Sequence, residues 1–138
     1  MRQSAQEFAF RLDAHSGVPV YRQLIDQVLA AVATDTLRTG DQLPTVRQVA
    51  VDLAINPNTV MRAYREMEIR GILDTQQGAG TFIAEQQPAL PEEERNRRLD
   101  QLANDLVARA GSLGFTLAEV LERLEQMHHD AENRRRTP

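Results

Sequence analysis

Between Gly40 and Phe82 the chain places two short amphipathic segments one tight turn apart, followed by a glycine-punctuated hairpin. Few folds accommodate that order at that spacing. Thr45 is suited to cap a helix, with Gln48 three residues on as its capping-box partner. Val46, Val49, Ala50 and Leu53 then recur at helical spacing and form a buried stripe. Ile55-Asn56-Pro57 reads as the turn. Asn56 caps the next helix, and Pro57 is tolerated at its first position, where the nitrogen has no intrahelical partner. Val60, Ala63, Tyr64 and Met67 face inward, and Gly71 stops the helix. Ile72 to Gln76 and Thr81 to Ala84 read as two strands around Gly78-Ala79-Gly80.

The flanks extend this plan. Phe8-Ala9-Phe10-Arg11-Leu12 alternates apolar and other residues, a short strand signal expected to join the hairpin in one small sheet. Asp13 to Gly17 reads as a turn. Pro19 opens an amphipathic helix over roughly 19–34, with Tyr21, Leu24, Ile25, Val28 and Val32 on one face. Three helices beside a small sheet make an α+β winged helix-turn-helix domain over residues 1–86. A polar, two-proline connector follows at 87–92. Two further helical stripes occupy 93–132, and 133–138 reads as a frayed, disordered tail. The first stripe is Leu99, Leu102, Ala103, Leu106, Val107 and Ala110. The second is Leu117, Val120, Leu121, Leu124 and Met127, its start marked by a Thr116/Glu119 capping box.

Composition removes several classes of function. The chain has 138 residues, 41% hydrophobic and 26% charged, an ordinary globular balance. No apolar run approaches the ~20 residues of a membrane span, and no charged-then-apolar leader opens the chain. A membrane partner is not expected, and a cytoplasmic location is. Cysteine is absent, which excludes disulfides and thiolate metal sites. All 16 basic residues are arginine, and the net charge is −4. Nucleic-acid-binding domains are usually basic. The segment 42–65 differs from the whole, holding Arg47, Arg62 and Arg65 against Asp52 alone.

Asn58, Thr59 and Arg62 lie on the outward face near the start of the second helix, where bases or phosphates would be met. A helix N-terminus favours phosphate in any case. Gly78-Ala79-Gly80 lacks the strand-to-helix context and the lysine of a nucleotide loop, so it reads as a hairpin turn whose small residues allow close approach to DNA. Neighbouring histidines His128 and His129 point about 100° apart on a helix. Glu125 with His129 supplies two ligands where structural zinc usually takes four, so no metal or other cofactor is expected. No arrangement of nucleophile and base in a pocket-forming context suggests an enzyme.

Residues 8–84 resemble the GntR family of bacterial transcription regulators. The resemblance is carried by Pro19-Val20-Tyr21-Arg22-Gln23-Leu24, Gly40, Leu43-Pro44, Arg47, Thr59-Val60, Ala63-Tyr64, Gly71 and Gly78-Ala79-Gly80-Thr81-Phe82. Asn56-Pro57-Asn58-Thr59-Val60 with Arg62-Ala63-Tyr64 is similar to the YtrA-type branch. The resemblance implies double-stranded DNA as partner, a two-fold symmetric operator, and contacts from Thr45, Arg47, Asn56, Pro57, Asn58, Thr59, Arg62, Gln77, Gly78 and Gly80. Better-known relatives often carry base-reading arginines at the positions of Pro57 and Met61. Both are uncharged here, so base readout must rest on other residues, and no operator can be transferred.

Two short stripes cannot form an independent domain. Either they fold back on the head, or they pair with a second copy through Leu99, Leu102, Leu106, Leu117, Val120, Leu121 and Leu124. The resemblance implies the second, hence a homodimer, and a repressor acting on a transporter operon. Some 50 residues are too few for the large ligand domain of longer relatives, although a small-molecule effector of unspecified identity between tail and head stays open as a partner. The alternative reading is a protein-interaction module that uses the C-terminal helices and keeps the helix-turn-helix as scaffold.

Overall fold

The computed structural model describes residues 8–85 and 90–136. The chain divides into two compact units between residues 86 and 87. In the first, α1 (Val20–Ala33), α2 (Val46–Leu53) and α3 (Pro57–Ile69) precede an antiparallel hairpin, β1 (Leu73–Gln76) and β2 (Gly80–Ile83). In the second, α4 (Glu92–Ser112) and α5 (Leu117–Arg136) follow in sequence. This is the winged helix-turn-helix plan expected, with two C-terminal helices. No helix among the described residues is long and apolar enough to cross a membrane.

One buried cluster holds the first unit together. Leu24, Ile25 and Val28 of α1 meet Val60, Ala63, Tyr64 and Met67 of α3, with Leu37, Leu43, Val49, Leu73 and Ile83 closing the sides. Burying a single such leucine or valine contributes about 1.5–3 kcal/mol. The inward face of α3 is the one its apolar spacing predicts. Its C-terminus is released by Gly71, at φ +76°.

The N-terminal segment departs from expectation. Residues 8–12 form no strand, and among the described residues the sheet has two strands. The alternation is real: Phe10 is buried, Phe8 and Leu12 are half-buried, and Ala9 and Arg11 are exposed. The backbone at Arg11 and Asp13, however, bonds to side chains of α1 instead of a neighbouring strand. Arg11 N–H donates to Gln27 Oε1 at 2.8 Å, Gln27 Nε2 donates back to the Arg11 carbonyl at 2.6 Å, and Asp13 N–H donates to Gln23 Oε1 at 2.9 Å. A period of two reports an extended chain with one face buried, and does not specify which groups complete its hydrogen bonds.

The place beside β2 is taken by the loop after α1. Gly40 N–H donates to the Ile83 carbonyl at 2.9 Å, Ile83 N–H to the Asp41 carbonyl at 2.9 Å, and Leu43 N–H to the Thr81 carbonyl at 2.8 Å.

In the second unit the Thr116/Glu119 capping box is formed, with Glu119 N–H donating to Thr116 Oγ1 at 3.2 Å and Thr116 N–H to Glu119 Oε2 at 2.8 Å. Helix α5 continues to Arg136, so the tail expected to fray from 133 is helical that far. Residues 137–138 lie outside the described residues, as does half of the expected 87–92 connector, at 87–89. Near the start of α4, hydrogen bonds from Arg97 and Arg98 hold the Glu94 carboxyl below the ordinary range.

Candidate nucleic-acid interface

The turn between α2 and α3 sets the geometry of the site. Gln48 N–H donates to Thr45 Oγ1 at 3.1 Å and Thr45 N–H to Gln48 Oε1 at 3.3 Å, completing the box that starts α2. Asn58 N–H donates to Asn56 Oδ1 at 2.8 Å, and Pro57 takes the first helical position of α3. Between the helices the chain turns on Ala54, which closes α2 in the left-handed region at φ 54°, ψ 47°. A residue with a Cβ adopts that conformation at a cost of roughly 1–2 kcal/mol. The phenol of Tyr64 ties α3 to the chain just before α2 by donating to the Pro44 carbonyl at 2.6 Å. Burial pushes its pKa well above the ordinary tyrosine value.

These constraints leave one face of α3 turned outward. Asn58, Met61, Arg62, Arg65 and Ile69 are all exposed along it. Ile69 retains 79% of its surface and Met61 43%, so apolar groups are interspersed with amide and guanidinium donors. Arg47, in the first turn of α2, is also exposed and has no ion-pair or hydrogen-bonding partner among the described residues. Arg62 is held differently: its guanidinium carbon lies 3.8 Å from the centre of the Tyr21 ring on α1.

The hairpin follows α3 directly and is tied to it. Thr75 Oγ1 donates to Glu68 Oε1 at 2.6 Å, and the Thr75 and Thr81 hydroxyls approach to 3.3 Å across the strands. The tip is Gln77-Gly78-Ala79, closed by Ala79 N–H donating to the Gln76 carbonyl at 3.0 Å, with Gly78 at φ +81°. Gln77 and Gly78 are exposed there. Gly80 is placed differently: it is half-buried, at φ +130°, where an added Cβ would overlap the Gln42 side-chain amide. That amide donates to the Ala79 carbonyl at 3.2 Å.

Of the residues singled out in the sequence, the structure therefore exposes Arg47 in the first turn of α2, Pro57, Asn58 and Arg62 in the first two turns of α3, and Gln77 and Gly78 at the hairpin tip. Thr45 and Asn56 are exposed too, but their side-chain oxygens are engaged in caps, and Thr59 is half-buried. Gly80 follows the tip, packed against the Gln42 side chain. Sequence reading missed Gln42 and Tyr21, which hold the tip and Arg62. Gln42 bonds a residue 37 positions away, which no local pattern announces. In the second unit, Leu99, Leu102, Leu106, Leu117, Leu121 and Leu124 remain exposed and Val120 is half-buried.

An arrangement of this kind can lay one helix in a major groove, set a hairpin tip alongside it and place a free arginine at the neighbouring backbone. Comparison with known proteins agrees. Residues 20–83 match the family of bacterial regulatory proteins, gntR family. The chain is 38% identical to the HTH-type transcriptional regulator YhcF of Bacillus subtilis (strain 168), over 78% of this chain and 88% of that protein. It is 32% identical to the HTH-type transcriptional repressor YtrA of the same organism, over 87% of this chain and 92% of the relative. The crystal structure of a transcriptional antiterminator from Listeria monocytogenes EGD-e superposes with a TM-score of 0.67 at 26% identity, covering 90% of this chain and 92% of that one.

Proposed function

We propose, on the premise that this chain belongs to the GntR family of bacterial regulatory proteins and to its YtrA-type branch, that it is a homodimeric repressor of transcription. Members of the family are DNA-binding transcription regulators and not enzymes, and DNA-binding regulation of transcription is the activity of this chain.

The observation that carries the homodimer is the unpartnered apolar surface of α4 and α5. Leu102 keeps 66% of its surface and Leu117 61%, and their neighbours along both stripes are similarly open. Leaving such stripes in water forgoes the main favourable contribution to folding, and a second copy offers the matching surface by symmetry. The occupant is a second copy because a two-fold pair also supplies two α3 helices for two half-sites. Similarity to YtrA over nearly the whole of both chains supports the repressor reading, and the same branch resemblance makes a transporter operon the proposed target.

In each subunit α3 lies in the major groove with Asn58, Thr59 and Arg62 toward the bases. Arg47 and the helix start meet phosphates, and Gln77 and Gly78 lie along the flanking groove. Asn58 suits an adenine edge and exposed Met61 suits a thymine methyl. Half-sites are spaced near one helical turn, ~10 bp, or a multiple of it.

A gel-shift with duplex DNA from around the protein's own gene tests the reading. Binding that weakens steeply with salt is expected, at a stoichiometry of two chains per duplex. Binding by single chains refutes the homodimer, and the absence of any salt-sensitive shift refutes this choice of target.

A further inference from the structure

We propose that Tyr21 is a positioning residue of the DNA interface, its ring holding the Arg62 guanidinium flat so that the donor edge of the fork is presented to the duplex. The inference rests on the reading of α3 as the groove-facing helix.

Tyr21 stands in the first turn of α1, half-buried, with its ring packed against the core shared by α1 and α3. Its position is therefore set by the same packing that sets α3. Arg62 lies over that ring, its guanidinium carbon 3.8 Å from the centre, well inside the ~6 Å over which a cation is attracted to an aromatic face. Among the described residues it is the one arginine stacked on a ring. A guanidinium lying over a ring engages it through its flat π face, whereas hydrogen bonds use its in-plane N–H edge. Stacking on Tyr21 and bidentate donation to guanine or to a phosphate are therefore compatible, and one arginine can do both at once. A free arginine on a helix surface must give up side-chain freedom when it binds; one already stacked has surrendered much of it in the unbound protein.

The test is a double-mutant cycle on the full-length protein, using a duplex enriched by that protein from a random-sequence library. Tyr21→Phe keeps the ring face and Tyr21→Leu removes it while keeping apolar bulk. Arg62→Ala, alone and with Tyr21→Leu, completes the cycle, and thermal unfolding checks that each variant is folded. Tyr21→Phe is expected to bind as the wild type does. Tyr21→Leu should weaken binding about two- to fivefold, and should cost nothing further once Arg62 is alanine. If Tyr21→Leu loses the same factor with or without Arg62, or loses nothing, the positioning role is overturned while Arg62 remains a contact. If Arg62→Ala itself binds as tightly as the wild type, the contact assignment falls, and the inference with it.

Discussion

Arg47 and Arg62 carry the same charge in different surroundings, and the difference sets what each can contribute. Arg47 stands free in the first turn of α2, whereas Arg62 lies on the Tyr21 ring. A free arginine beside a helix start is suited to a phosphate, which needs charge more than orientation. Arg47→Ala is expected to weaken binding similarly for all sequences and to lower the salt slope by roughly one per subunit, with the dimer mass unchanged. Unaltered affinity in a salt titration would remove Arg47 from the interface. Ala54 offers a second test at this scale. It holds φ 54° without being glycine, in a turn between two helices that must keep their angle. Ala54→Gly should raise stability by about 0.5–1 kcal/mol by relieving that conformation, read as a higher melting temperature. A lower melting temperature would mean that the added freedom of the unfolded chain outweighs the relief.

Between elements, a few side chains set orientations that the apolar core leaves loose. Tyr64 joins α3 to the chain before α2, Glu68 joins α3 to β1 through Thr75, and Gln42 joins the loop after α1 to the hairpin tip. Tyr64 makes this testable by pH. Its folded pKa is raised, so the contribution to stability is complete below the ordinary tyrosine pKa of about 10 and is lost as pH rises above it. Chemical denaturation at increasing pH should show stability falling from about pH 10 upward, with a shallower fall in Tyr64→Phe. The same variant loses the bond to the Pro44 carbonyl and should cost about 0.5–1.5 kcal/mol at neutral pH. An identical alkaline slope in both proteins would assign it to other groups. Caps were readable in advance because their partners lie two or three residues apart, as at Thr45, Asn56 and Thr116. The 8–12 segment lies outside the sheet because Arg11 is paired with Gln27, which sits on a helix face that strand periodicity does not address.

At the scale of the molecule, a chain of net charge −4 binds a polyanion. Its exposed arginines on α2 and α3 supply local attraction, and pairing two such faces on one duplex multiplies it. Replacing Leu102 and Leu121 together by glutamate should place four like charges in the proposed interface. Light scattering is expected to show a monomer, and affinity for the enriched duplex should fall by tenfold or more at equal chain concentration. A double variant that remains dimeric would place the interface elsewhere.

The run from Thr45 to Gly71 carried its own structure: cap residues, apolar spacing and the stopping glycine agree, and α3 begins at Pro57 and ends at Ile69 as their positions require. These signals are local, acting within one helical turn, so they survive in the sequence as readable patterns. The left-handed Ala54, the support of Gly80 by Gln42 and the stacking of Arg62 on Tyr21 left no such trace. Each depends on residues that meet only after α1, α2, α3 and the hairpin have packed. Nothing local requires a tyrosine under an arginine 41 positions later; only the packing of α1 on α3 brings the ring beneath it.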